Sequence, residues 1–167
     1  MRRMALIAAL IFVIDQITKI AVVFGLDLKH RGEIDVLPPF LNLRMAWNQG
    51  INFGILSSGS EVVRWVIIAL SLVITGWVWL WIKRGNHNRW MQISAGLLIG
   101  GALGNVVDRL AYGAVADFLN MSCCGFENPY AFNVADIAIF AGAFGLMIFG
   151  GSGDAPKKPA KPRRKTP

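Results

Sequence analysis

Four apolar stretches, at about residues 4–24, 61–82, 90–110 and 133–150, leave this chain little choice of solvent. Each approaches the roughly 20 residues that an α-helix needs to cross a hydrocarbon core. Lipid offers backbone groups no hydrogen-bond partners, so such stretches must satisfy their own N–H and C=O groups, and helices do that locally. The expected fold is therefore an all-α polytopic membrane protein with four transmembrane helices. With 54% of its 167 residues hydrophobic, the chain is too apolar for an ordinary soluble domain and long enough for one membrane domain, residues 1–150.

The first stretch opens Met1-Arg2-Arg3 and then MALIAALIFVI, like a secretory signal peptide. No small-x-small cleavage site closes it, and the run passes Asp15, Gln16, Thr18 and Lys19 into AVVFG, which predicts a retained first span. The second ends in WVWLWI, an aromatic belt suited to a membrane interface. The third carries SAGLLIGGALGN and the fourth is rich in glycine and alanine, which lets helix backbones approach closely.

Between the first two spans the character changes. Residues 25–60 are polar at first, and Pro38-Pro39 interrupts any helix. FLNLRMAWNQGINFGIL then alternates in part, as short strands do, with turns at Gly50 and Gly54. This predicts a small β-structured element at the membrane surface, with Trp47 and Phe53 at the interface.

Four spans place both termini on one side. Arg2, Arg3, Lys83, Arg84, Arg89 and the basic tail share that side, which the positive-inside rule makes cytoplasmic. The β element and the 111–132 connection face the other way. Much of the formal charge of +7 sits in the Pro/Lys-rich tail, residues 151–167, a composition expected to be disordered near anionic lipid. The basic residues lack interleaved aromatics and match no known module, so nucleic acid is not an expected partner. His30 and His87 stand alone and there is no HExxH or Cys/His cluster, so no metal and no cofactor are expected. Cys123 and Cys124 are adjacent; pairing with another chain, carrying a lipid and serving as small apolar filler are all open, filler being the simplest.

The chemistry concentrates in GNVVDRLAYGAVADFLNMSCCGFENPYAFNVAD, residues 104–136. Ionisable groups near membrane depth are costly and mark function. Asn133 with Asp136 three residues later reads as a capping box, and Asp117 alone as a solvated loop acid. Together they occupy the same outward rim, each in an Ala-Asp step leading into apolar sequence. Two carboxylates held close in a low dielectric share a proton, which supplies one base and one acid, the aspartic-protease arrangement. No GxSG motif competes, and neither cysteine has a histidine nearby in sequence. Asp15 and Lys19, four apart on one helix face, either tether the first span or reach a binding site.

The ordered set Asp15…Lys19, Asn48-Gln-Gly50, Gly104-Asn-Val-Val-Asp-Arg109, Ala116-Asp117-Phe118 and Phe132-Asn-Val-Ala-Asp136 resembles the lipoprotein signal peptidases, signal peptidase II, over nearly the whole chain to about residue 150. The resemblance implies a bacterial inner-membrane aspartyl endopeptidase that cuts prolipoproteins just before the diacylglyceryl-modified lipobox cysteine. By matching position it implies that Asp117 and Asp136 are the catalytic dyad. It implies that Asn48, Gly104, Asn105, Arg109 and Asn133 support the site, Asn48 and Arg109 by holding substrate carbonyls, and that Asp15 and Lys19 brace it. The chain departs at Ile51-Asn52 and Ala116, which bears on substrate preference. A monomer suffices. A proton-coupled transporter would want its charges near the midplane and inverted repeats, which this sequence lacks. A purely structural subunit would tolerate Asp→Asn at both positions.

Overall fold

The computed structural model describes residues 1–50, 61–85 and 87–150. Its helices are α1 (Arg2–Lys19), continued by a π-helical stretch Ile20–Gly25, the short α2 (Leu28–Arg31), α3 (Glu61–Arg84), α4 (Arg89–Tyr112) and α5 (Val134–Gly150). Three of them, Arg2–Gly25, Glu61–Arg84 and Arg89–Tyr112, are long and apolar enough to cross a membrane; α5 is apolar but shorter, at 17 residues. The first three expected spans thus fall on long helices and the fourth on α5. The expectations for Ile51-Asn52, Phe53, Gly54 and the tail lie outside the described residues.

α4 is the centre of the bundle, packing against α1, α3 and α5. Asn88 caps its start by accepting from the Met91 N–H at 2.9 Å, and Gly113, at φ 76°, ends it in the left-handed conformation that glycine adopts without cost. Its small residues set the packing distance. A side chain at Gly100 would meet the Ala8 carbonyl at 2.5 Å, so α1 and α4 lie backbone to backbone. One apolar core, with Met4, Ala8, Val78, Ile82, Met91, Ala95, Leu98 and Ile99, fills the end of the bundle where α1 starts, α3 ends and α4 starts. Outward, α3 and α5 present Val66, Leu70, Val73, Phe140, Phe144 and Met147.

At the opposite end sits a three-stranded antiparallel sheet, β1 (Glu33–Leu37), β2 (Leu41–Asn48) and β3 (Val115–Asn120), in the order β1-β2-β3. Of the β element expected over residues 40–56, β2 is present and residues 51–56 lie outside the described residues. β1 lies ahead of it in the polar stretch, where no strand was expected, with Pro38-Pro39 between the two. The third strand departs from expectation: residues 115–120 extend the sheet where a loop was predicted. Alternation gives no signal there, because five of the six residues are buried. A second core of Val23, Leu28, Leu43, Ala116 and Phe118 seals the sheet onto the end of α1.

Aromatic residues mark both ends. Trp77 stacks on Trp81 and Trp90 on Phe149 at one end, while Phe24 and Trp47 both contact Tyr112 at the other. The cysteines also depart from the uses considered: Cys123 and Cys124 are disulfide-bonded to each other.

Candidate active site

The sheet end of the bundle gathers the polar residues of α1, α4, β2, β3 and α5 into one buried network. β3 pairs with β2 so that Ala46 faces Asp117 and Asn48 faces Val115. That register carries Asn48, 69 residues distant in sequence, to Asp117, whose Oδ2 accepts from the Asn48 amide at 3.1 Å. The other oxygen, Oδ1, accepts from the Asn133 side-chain amide at 2.6 Å.

Asp136 lies in the first turn of α5. Its Oδ2 accepts from the Asn133 backbone N–H at 3.2 Å, while its own N–H donates to Asn133 Oδ1 at 2.9 Å. That reciprocal pair is the capping box expected from the sequence. Its Oδ1 accepts from the Asn105 amide at 2.9 Å. Asn133, fully buried, therefore touches both carboxylates, one through its side chain and one through its backbone. Each carboxylate oxygen receives one amide donor and retains lone-pair capacity for another partner.

Burial, and next the negative charge of Asp136, raise the Asp117 carboxyl to about 6, against the opposing amides of Asn48 and Asn133 and the more distant Lys19. A carboxyl held at that value keeps its proton at mildly acid pH, where an ordinary aspartate is already ionised.

A second cluster lies one layer deeper. Lys19 Nζ is 2.7 Å from both Asp15 Oδ2 and Asp108 Oδ2. Asp15 Oδ1 accepts from the Ala135 N–H at 3.0 Å, occupying an open donor at the start of α5. Asp108 Oδ2 accepts from the Ala116 N–H at 3.2 Å, which fixes β3 one residue before Asp117. Gln16 donates to Asp15 and Asp108 at 3.2 and 3.1 Å. Gly104 is required here, since a Cβ would stand 2.5 Å from Asp15 Oδ2. Lys19 also reaches Asn105 Oδ1 at 3.2 Å, joining this cluster to the Asp136 side.

Arg109 lies buried within electrostatic reach of Asp136, Asp117 and Asp108. Nη1 donates to the Asn105 carbonyl at 3.3 Å, and Nε has no partner among the described residues.

The structure thus brings all nine predicted residues into one network: Asp117, Asp136, Asn48, Gly104, Asn105, Arg109, Asn133, Asp15 and Lys19. The peptidase reading of the sequence assigned no role to Asp108 or Gln16; Asp108 entered only as a relay group in the transporter alternative. Asp108 stood beside Arg109 in the same block, and Gln16 interrupted an apolar run beside Asp15; that polarity was the available signal. No group of three or more His, Cys, Asp or Glu residues suited to a metal ion occurs among the described residues.

Two cavities adjoin the network. One, of about 460 Å³, opens beside Asp117 between the end of β2 and residues 129–131. The other, of about 380 Å³, is a groove over α4 lined by Ile67, Ile74, Leu98 and Ile139, with Asn105 and Arg109 at its polar end.

Residues 7–150 match the family model described as signal peptidase (SPase) II. The lipoprotein signal peptidase of Methylobacterium radiotolerans is 40% identical over 158 residues, covering 95% of this chain and 91% of that protein. Its counterpart in Burkholderia mallei is 42% identical over 143 residues, covering 86% and 83%. Two solved structures described as bacterial membrane enzymes, obtained by the in meso method, are also similar. The one at 2.3 Å resolution has a TM-score of 0.71 at 32% identity, covering 95% of this chain and 93% of that one. The one at 1.9 Å has a TM-score of 0.72 at 31% identity, covering 87% and 90%.

Proposed function

The chain belongs to the signal peptidase II family, and from that premise we propose that it is a membrane aspartyl endopeptidase acting on prolipoproteins. It cuts immediately before the diacylglyceryl-modified lipobox cysteine, with Asp117 and Asp136 as the catalytic pair. The observation that carries this reading is the Asn133 bridge between two carboxylates, one of them raised to about 6. The pair shares one proton. The ionised member takes a proton from water as its oxygen attacks the scissile carbonyl. The protonated member donates to the carbonyl oxygen and, as the tetrahedral intermediate collapses, a proton passes to the departing cysteine amine. Asn48 and Arg109 hold substrate carbonyls, and the cluster around Lys19 keeps α1, α4, β3 and α5 in register beneath the pair.

The groove between α3 and α5 suits the signal segment. Its apolar lining accepts a hydrophobic peptide arriving from lipid, and its polar end meets Asn105, which is bonded to Asp136. The acyl chains of the cysteine stay in the bilayer while the peptide bond reaches the pair near the water interface. The protein works as a single domain of four spans, residues 1–150, in the bacterial inner membrane. Its termini are cytoplasmic and its site lies at the periplasmic face. It needs neither cofactor nor metal and acts as a monomer.

The test is cleavage of a diacylglyceryl-modified prolipoprotein by purified protein in detergent, comparing wild type with Asp117→Asn and Asp136→Asn. Cleavage by wild type, and its loss in each folded variant, supports the dyad. Equal cleavage by all three removes the aspartyl mechanism and leaves Asp136 as a helix cap.

A further inference from the structure

We infer that the cavity beside Asp117 is a subsite for the residues that follow the lipidated cysteine, with Tyr130 as its specificity contact. This rests on the peptidase reading above and extends it to the other side of the scissile bond.

The two cavities differ in chemistry and reach opposite members of the pair. The apolar groove ends at Asn105, on the Asp136 side. The second cavity includes Asp117 itself, with Asn48 and Gln49 on one wall and Pro129 and Tyr130 on the other. A peptide passing over both carboxylates has its signal segment in the first and its mature segment in the second. A mature segment is bound for water and carries a fully polar backbone, so a cavity walled by amides and a phenol suits it as the apolar groove does not.

The Tyr130 wall is preorganised. Asn120, buried on β3, donates both hydrogens of its amide, to the Asn128 carbonyl at 2.7 Å and the Tyr130 carbonyl at 2.9 Å. Asn128 in turn accepts from the Tyr130 N–H at 3.0 Å, and its own N–H donates to Ser122 Oγ at 3.1 Å. Phe132 closes the segment through paired bonds with Leu119 at 2.8 and 3.0 Å. With its backbone held at this many points, the Tyr130 side chain still stands out, 76% exposed, and its ring stacks on no other ring among the described residues. A tyrosine on fixed backbone gives contact area at little conformational cost, which is what a peptide subsite requires. Asn120 is a positioning residue for it.

The experiment compares two synthetic substrates in detergent that share one signal segment and one diacylglyceryl cysteine. The first continues beyond the cysteine for several residues; the second ends there as the carboxamide. For wild type, kcat/KM on the long substrate exceeds that on the short one by about tenfold, the effect of a few good contacts. In Tyr130→Ala that ratio falls to about twofold, and Tyr130→Phe, which keeps the ring, restores most of it. A wild-type ratio near one overturns the subsite while leaving the peptidase intact. So does a Tyr130→Ala variant that slows both substrates by the same factor, the behaviour of an interface anchor. Cleavage of neither substrate by wild type removes the peptidase reading and the subsite with it.

Discussion

Two pairs of aspartates lie close together in this protein and are treated in opposite ways. Asp15 and Asp108 share a lysine at 2.7 Å, and all four of their oxygens receive donors. Asp117 and Asp136 receive only neutral amides, and neither forms an ion pair among the described residues. The first pair stands against a shared cation, and its hydrogen bonds run to the backbones of α5 and β3. The second is oriented by groups that leave its protonation open. One residue type thus serves as structure where a cation is supplied and, in our proposal, as an acid–base pair where it is withheld.

The sharpest way to break that comparison is to neutralise one member of each pair. Asp136→Asn is expected to lower kcat by about 10²–10⁴-fold, the range for losing a positioned acid or base, with little change in melting temperature. Cleavage assays beside thermal melting in detergent measure both. Lys19→Met should do the reverse, stranding two buried carboxylates at a cost of about 3–5 kcal/mol. Unfolding titrations would report the loss. A Lys19→Met protein of normal stability but no turnover would mean that the two pairs are one catalytic unit.

A smaller effect separates the pairs by pH. Burial and the neighbouring Asp136 push the folded carboxyl of Asp117 up to about 6, from the roughly 3.9 of an aspartate in an unfolded chain. Folding therefore takes up a proton between those values, and the stability associated with this group is full below about pH 4 and lost as pH rises through 6. Asp117→Asn removes that slope. It should melt above wild type at pH 7.5, by up to about 3 kcal/mol, and converge on it toward pH 4. Melting curves from pH 4 to 8 that stay parallel would show that burial does not hold Asp117 protonated. The smallest expected effect is Gln16→Ala, which takes a donor from both Asp15 and Asp108 and should cost about 1 kcal/mol while sparing turnover. A large fall in cleavage instead would place Gln16 in the active site.

What the sequence determined by itself was local. Span lengths follow from runs of apolar residues, the cap at Asn133 and Asp136 from a spacing of three, and the Asp15–Lys19 pair from a spacing of four. Each depends only on the rise of a helix. The order of the polar blocks added the family, and with it every residue named for the site. Only the tertiary structure decided which partners those residues keep. Asp117 lies on a strand because β2, some 70 residues earlier in the chain, offers an edge to pair with; its own hexapeptide, buried on nearly every residue, shows no alternation. Lys19 takes Asp108 as a second partner because the glycines of α4 draw that helix against α1. Asn133 bridges the acids because the start of α5 is seated on Asp15, 120 residues away. Strand register and helix contact over such separations are set by packing, and no local spacing encodes them.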